Sequence, residues 1–247
     1  MSSLKIYCLS LDPKHLGIIK KINYIPVGLG EENFTNEWLS DRTENHISLK
    51  NKFYGEYTFH YWIWKNYQDK IGDDWVGFCQ YRKFWSLKKS GIQNVSFEHF
   101  NENILKEIPK EFLKYETILG EPLFINQFRF SKFIKNNLKT MINKPSLFLN
   151  KKKRTIKFHF DMMHGLGNLD KAIELLELEE RNDFTEFVNT NVSFNPQNML
   201  ICKSKSFLTS YYNSIFPWLT RCEKIFGFED LKGYGLQRIY AFLAERY

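Results

Sequence analysis

The sequence has no apolar run near the roughly 20 residues that a membrane-crossing helix requires, and its N-terminus carries no apolar segment of the signal-peptide kind. Cysteine is scarce. Cys8, Cys79, Cys202 and Cys222 lie far apart, with no CxxC pair and three of them inside apolar runs, which argues for reduced, buried thiols rather than disulfides or a zinc site. The expectation from these absences is a cytoplasmic protein, with room for contact at the inner face of the cytoplasmic membrane. Internal repeats and Gly/Ser linkers are also missing. Gly28-Leu29-Gly30 has neither a third glycine nor a helix directly behind it, so it reads as a turn and not as a phosphate-binding fingerprint.

What is present is globular. The 247 residues are 43% hydrophobic and 17% aromatic, enough for one large domain with a substantial core. The formal net charge of +7 suits a polyanionic partner without choosing among nucleic acid, nucleotide sugars, diphosphate lipids and an anionic membrane surface.

Along the chain, residues 4–9 and 22–27 read as short strands, and the first opens into the loop Ser10 to His15. Residues 96–114 have a helical phase of Phe97, Phe100, Ile104, Ile108 and Phe112, and residues 117–120 read as another strand. Residues 128–160 carry ten Lys and Arg and no acidic residue, with an apolar face of Phe130, Phe133, Ile134, Leu138, Met141 and Ile142. This is a basic amphipathic helix of the kind that rests on an anionic membrane, or an ordinary surface helix with a solvated basic side. His159, Asp161 and His164 follow, ahead of an expected helix over 169–176 capped by Asn168. These three could ligate a metal or provide a base. Asp161 is the better base candidate, and no third distant ligand is identifiable by spacing. Residues 199–202 read as a strand, and a helix from Ser206 is expected to kink or split at Pro217. A closing helix over 236–243 is still in phase near Tyr247, as in a chain that continues.

The most informative stretch is residues 40–85. Ser40 to Asn51 is a polar loop, the kind of segment that holds ligand groups. From Phe53 to Tyr67 the spacing of Tyr54, Tyr57, Tyr61 and Trp64 predicts one helix, with Phe59, Trp62 and Ile63 on a second apolar face. Glu56 inside it is costly to bury unpaired, so it meets a cation or faces a ligand. A short apolar strand, 75–79, then ends in Gln80-Tyr81-Arg82-Lys83. Ligands bind outside the carboxyl ends of strands in open α/β sheets, which makes Tyr81, Arg82 and Lys83 candidates for holding an anion.

Three motifs in this order resemble those of bacterial glycosyltransferases of capsule and O-antigen clusters, long catalogued as a domain of unknown function, some of them galactofuranosyltransferases. Ser40, Asp41, Thr43, Ile47, Ser48, Lys50 and Asn51 match a loop of the type SD-x-T-x-x-x-IS-x-KN. Tyr54, Glu56, Tyr61, Trp62, Trp64, Lys65 and Asn66 match an aromatic helix, with Thr58 displaced by about one step. Tyr81, Arg82 and Phe84 match a strand end of the type HYRR-F. Asn198-Met199 with Ile201, and Gln237, Arg238, Phe242, Leu243, Ala244, Glu245 and Arg246, resemble later family motifs. Residues 86–160 match none. Arg42, Glu44, Asn45 and His46 depart from the more acidic, glycine-containing family loop, and Gln80 stands where the family has histidine.

The resemblance implies a GT-A-like α/β fold with a mixed central sheet flanked by helices. Residues 1–127 would form mainly the nucleotide-sugar half, and residues 128–247 mainly the acceptor half. It implies transfer of a sugar, galactofuranose or another hexose, from a nucleotide donor of UDP type to a hydroxyl of a glycan or lipid-linked glycan. Donor binding would fall to Asp41, Ser48, Lys50, Asn51, Glu56, Tyr61, Trp62, Tyr81 and Lys83. His164, Asn198 and Arg238 would bind acceptor. Asp161 would act as base. Many GT-A enzymes hold a divalent metal at an Asp-x-Asp after a central strand. Gln80-Tyr81-Arg82 takes that place here, so Arg82, with Lys83, is expected to do the metal's work, with no cofactor required and manganese or magnesium as the alternative. Asp73-Asp74 precede the strand and belong to the opposite sheet edge. Two other classes compete: a non-catalytic carbohydrate-binding or scaffold protein of polysaccharide assembly, and a nucleic-acid-binding protein, which the basic, aromatic composition suggests but no recognised motif supports.

Overall fold

The computed structural model describes residues 3–68, 74–87, 101–127, 150, 153–195, 198–203 and 205–247. The chain forms two compact units. One comprises Met1–Asn51, Glu56–Gly120 and Asn198–Asn213, and the other Lys52–Gly55, Glu121–Gln197 and Ser214–Tyr247.

The first unit is built on a mixed sheet. Its strands are Leu4–Ser10 (β1), Ile25–Gly28 (β2), Leu39–Ser40 (β3), Trp75–Gln80 (β4) and Thr117–Leu119 (β5). Leu123–Phe124 (β6) and Ser193–Phe194 (β7) pair with each other in the second unit, and Leu200–Cys202 (β8) completes the large sheet in the order β3-β2-β1-β4-β8-β5. β1 runs parallel to both β2 and β4, and β2 parallel to β3, while β8 is antiparallel to β4 and β5. Ile6, Tyr7, Cys8 and Leu9 are all buried, as are Trp75, Val76, Phe78 and Cys79, because a parallel strand covered on both faces needs apolar side chains at every position. Ile6, Cys8, Trp75 and Cys79 join Ile19, Ile22, Trp38 and Ile201 in one core cluster. Tyr7 and Phe78 pack against Phe59 instead. From β1 the chain steps outward to β2 and β3, then returns to lay β4 on the other side of β1. The strand order therefore reverses between β1 and β4.

Several helices differ from the expectation. The helix expected over 53–67 is broken into Asn51–Tyr54 (with Leu16–Lys21 as α1, this is α2) and Tyr57–Trp62 (α3), followed by a π-helical turn at Ile63–Tyr67. Gly55 makes the break. It sits at φ 56°, and a Cβ there would lie 2.1 Å from Nη2 of Arg238. The helix expected over 96–114 is, among the described residues, helical only at 101–103 and in a single 3-10 turn at Lys110–Phe112. Between them Leu105 donates its N–H to Trp85 O, so that segment is extended. Of the basic amphipathic helix expected within residues 128–160, the apolar face from Phe130 to Ile142 lies outside the described residues.

In the second unit, Ile156–His164 (α4) is capped by Thr155, whose hydroxyl accepts the Phe158 N–H. His159, Asp161 and His164 thus lie inside a helix, not ahead of one. Asn168 does not cap the next helix, Asn168–Ile173 (α5); Gly167, at φ 77°, holds that position, and the Asn168 amide instead donates to His164 O and closes α4. Leu178–Thr190 (α6) has no counterpart in the sequence reading, because only Phe184 and Val188 of it are buried and its apolar period is faint. Lys205–Phe226 (α7) runs unbroken through Pro217. Ile215, Phe216, Trp218 and Leu219 are all buried around the proline, and that packing offsets the lost hydrogen bond. The closing segment is divided at Arg238 into Tyr234–Gln237 (α8) and Ile239–Ala244 (α9). No described helix is long and apolar enough to cross a membrane.

Candidate functional site

The carboxyl ends of β1 and β4 lie side by side, since Leu9 is in register with Gln80 and the Tyr81 N–H donates to Leu9 O at 3.0 Å. Gln80 and Lys83 exchange backbone hydrogen bonds of 3.2 and 2.9 Å, so Tyr81 and Arg82 are the two central residues of a tight turn. Arg82 and Lys83 are exposed, and the Arg82 guanidinium lies 5.1 Å from the centroid of the Tyr81 ring. The His15 ring, from the loop after β1, stacks on Tyr81 at 4.3 Å and 17°. This edge is where the strand order reverses, the usual place for a ligand in an open α/β sheet.

Beyond the ends of β2 and β3 is an open cleft of about 320 Å³ lined by Gly30, Glu31, Arg42, His46, Ser48 and Leu49. Ser48 is buried, and its hydroxyl is 2.9 Å from His46 Nδ1. The loop that makes the cleft wall is fixed from behind. Trp62 Nε1 donates to both the carbonyl and the hydroxyl of Thr43 at 3.0 Å, and the Asn66 side chain accepts the Asn45 N–H and donates to Asn45 O at 3.1 and 2.8 Å. Polar residues 42–46 are therefore held in one conformation, the condition for binding without a large ordering cost.

Asp41 is fully buried, and among the described residues neither carboxylate oxygen meets a donor in hydrogen-bonding geometry. Burial raises its pKa, against the weaker downward pull of the Thr58 hydroxyl, Arg42 and His46. Thr58 in turn accepts from the Asn51 amide at 3.1 Å. Asp41 and Asn51 thus stand beneath the loop and not on the cleft wall. Lys50 ends a short 3-10 turn at Ser48–Lys50. Trp62 is buried between Phe59 and Tyr67, so its ring face is spent on the core, and it holds the loop through its N–H. Tyr61 is partly exposed and packs edge-on against Trp64, over which Lys65 Nζ sits at 3.3 Å. Glu56 is the residue immediately before α3 and is half-buried. Asn198 is nearly buried at φ 56°, and its side-chain amide has no partner among the described residues.

In the second unit, Asp161 Oδ1 accepts the Gly167 N–H at 3.1 Å and Oδ2 faces Lys157 at 3.4 Å. Burial raises its pKa, while Gly167 and Lys157 lower it. His164 is buried, with Nδ1 3.0 Å from Gly235 O and Nε2 3.4 Å from Arg246 Nη2, and it stacks on Phe242. His159 Nδ1 lies 3.5 Å from the same Arg246 nitrogen. The two imidazoles therefore turn toward a buried cation, which opposes the metal-ligand alternative for this cluster. Among the described residues no group of three His, Cys, Asp or Glu is arranged to hold a metal ion. Arg238 lies between α8 and α9 with its guanidinium 5.7 Å from the Tyr234 ring centroid.

The structure therefore brings Tyr81, Arg82 and Lys83 together at one sheet edge and puts Ser48 on the cleft. Sequence reasoning missed His15, Ser10, Arg42 and His46 as site residues, and Asn66 as the residue that pins the loop. Asn66 carried a signal, as part of a matched motif. His15 carried only its place after a strand.

A family model described as a domain of unknown function (DUF4422) matches residues 5–247. Among solved structures, the apo structure of the bifunctional glycosyltransferase WbbM aligns with a TM-score of 0.68 at 20% identity, covering 99% of this chain and 41% of that one. The chain thus spans about two fifths of the length of that protein. No curated protein matches.

Proposed function

The chain belongs to the DUF4422 family, and from that membership together with its fold we propose that it is a glycosyltransferase that uses a nucleotide-sugar donor. The observation that carries the proposal is the exposed Arg82 and Lys83 beside Tyr81 at the edge where the strand order reverses. Glycosyl transfer breaks the bond between the sugar's anomeric carbon and a diphosphate oxygen, and negative charge builds on the departing diphosphate. Cations held in a rigid turn stabilise that charge without reorganising as the reaction proceeds. In this reading Arg82, with Lys83, supplies the charge, and Tyr81 is the platform that holds Arg82. The cleft of Arg42, His46 and Ser48 takes the nucleoside portion, with Lys50, Asn51, Glu56 and Tyr61 contributing from the loop and helix, Trp62 fixing that loop through Thr43, and Asp41 beneath it.

An acceptor hydroxyl needs a base if the transfer inverts configuration. Asp161 is that base here, since burial moves its carboxyl in the direction that strengthens it as a base. Asn198 and Arg238 are assigned to the acceptor, and His164, whose ring nitrogens are engaged, to holding Gly235 in place. The donor is UDP-linked galactofuranose or another hexose, and the acceptor a capsular or O-antigen intermediate, free or lipid-linked and presented at a membrane face.

The test is a panel of nucleotide sugars with detection of released nucleoside diphosphate, run with and without EDTA. Release that survives EDTA and falls at least about tenfold in Arg82→Met supports the reading. Loss of activity with EDTA and its return with manganese would transfer Arg82's role to a metal. Absence of release with every donor would favour the non-catalytic carbohydrate-binding alternative.

A further inference from the structure

We propose that His15 is a second diphosphate-binding residue of the same edge, acting beside Arg82 as a fixed hydrogen-bond donor; this rests on the glycosyltransferase reading. His15 follows β1 and Arg82 follows β4, the two strands between which the sheet order reverses. A ligand anion at that point lies between the loops that leave these strands, and both loops present a nitrogen base or cation against one tyrosine ring. The Tyr81 ring is stacked by His15 at 4.3 Å and approached by the Arg82 guanidinium at 5.1 Å.

The hydrogen bonds of Ser10 settle which nitrogen is available. Ser10 is buried, and its Oγ lies 3.0 Å from the Asp12 N–H nitrogen, 3.1 Å from Asp12 O and 2.8 Å from His15 Nδ1. A hydroxyl has one proton to give and two lone pairs. If the proton goes to His15 Nδ1, the oxygen still accepts from the Asp12 N–H, Asp12 O is satisfied by the His15 backbone N–H at 3.2 Å, and every group is satisfied. The single proton of the neutral ring then sits on Nε2. Nε2, with no partner among the described residues, is left to donate to a ligand. The charged groups around the ring are Arg82 on the facing turn, and Asp12 and Lys14 on its own loop. Asp12 is occupied in capping, with its carboxylate accepting the Lys14 N–H at 2.9 Å. A half-buried ring held by a buried serine and stacked on a tyrosine loses little freedom when it binds, which suits a ligand contact more than a surface histidine.

The experiment measures binding of UDP, inorganic pyrophosphate and uridine to the whole chain by calorimetry, in wild type, His15→Phe and Ser10→Ala. Phenylalanine keeps the stack on Tyr81 and removes both nitrogens. The expected result is a loss of about tenfold for UDP and pyrophosphate in His15→Phe, the effect of one charge-assisted hydrogen bond, with uridine unchanged. Ser10→Ala, which frees Nδ1, gives a smaller loss in the same direction. Equal UDP affinity in wild type and His15→Phe overturns the proposal while leaving the glycosyltransferase reading intact. A uridine loss equal to the UDP loss also overturns it, because the effect is then on the fold or the nucleoside. A wild-type protein that binds none of the three, and releases no diphosphate from any donor, overturns both.

Discussion

Acidification from pH 7 to pH 5 is predicted to remove a large part of the protein's stability, through three buried histidines. His60 sits 1% exposed with Nδ1 2.9 Å from Tyr212 Oη, and burial pushes its pKa down to about 3. Burial and the Arg246 guanidinium push His159 down to about 3 and His164 to about 2. All three are neutral in the folded protein across this range, whereas the unfolded chain takes up a proton on each near pH 6.5. Below pH 6.5 the unfolded state therefore binds more protons, so stability is whole above that pH and falls as pH drops toward 3. Each group costs about 2 kcal/mol between pH 7 and pH 5, and the three together about 6 kcal/mol, against a total for a typical domain of about 5–15 kcal/mol. Asp41 and Asp161, whose carboxyls burial raises, bind protons earlier in the folded state and offset part of that loss.

The assay is a urea titration followed by tryptophan fluorescence at pH 7, 6 and 5. The midpoint should fall steeply over this range, and His60→Gln should reduce the fall by about a third. A midpoint that is flat or rises from pH 7 to pH 5 would refute the argument, as would imidazole NMR signals from all six histidines titrating near pH 6.5.

Asn66→Ala removes both bonds to the Asn45 backbone and should raise the KM for donor several-fold while leaving kcat within about twofold, because the loop loses its fixed conformation but the Arg82 turn does not. An unchanged KM would show that the loop needs no support from the helix. Asp161→Asn should lower kcat by about 100-fold if Asp161 is the base, with donor binding intact by calorimetry. A change in melting temperature with normal kcat would instead assign Asp161 to closing the turn after α4, which its bond to Gly167 already does.

The large sheet was legible because its buried strands carry apolar residues in unbroken runs. Residues 4–9, 75–79, 117–120 and 199–202 all became strands. β3 and β7, two residues each, are too short to leave a pattern, and α6 buries too little to show a period. Pro217 misled for a different reason. Its intrinsic cost is real, but packing by Ile215, Phe216 and Trp218 exceeds it, and that packing cannot be read from neighbours in sequence. At the site, Arg82 was legible as a cation ending a strand. His15 was not, because its meaning depends on β1 lying beside β4, a pairing of segments about 70 residues apart.

The same contrast bears on specificity. Of the loop positions that match the family motif, Asp41 is fully buried and Thr43 is bound to Trp62, while Ser48 lies on the cleft. Two of the positions that depart from it, Arg42 and His46, line the cleft beside Ser48. Residues that hold a loop's shape tolerate little change, since a buried carboxylate or a satisfied N–H has only one arrangement, whereas residues on an open wall can vary with the ligand. Arg42→Gly with His46→Asp should therefore alter which nucleotide sugars are accepted, by about 10- to 100-fold in relative kcat/KM, while the melting temperature moves by only a few degrees. Parallel loss of every donor, or unfolding, would mean that these two residues hold the loop as well, and that donor choice is made elsewhere along the edge.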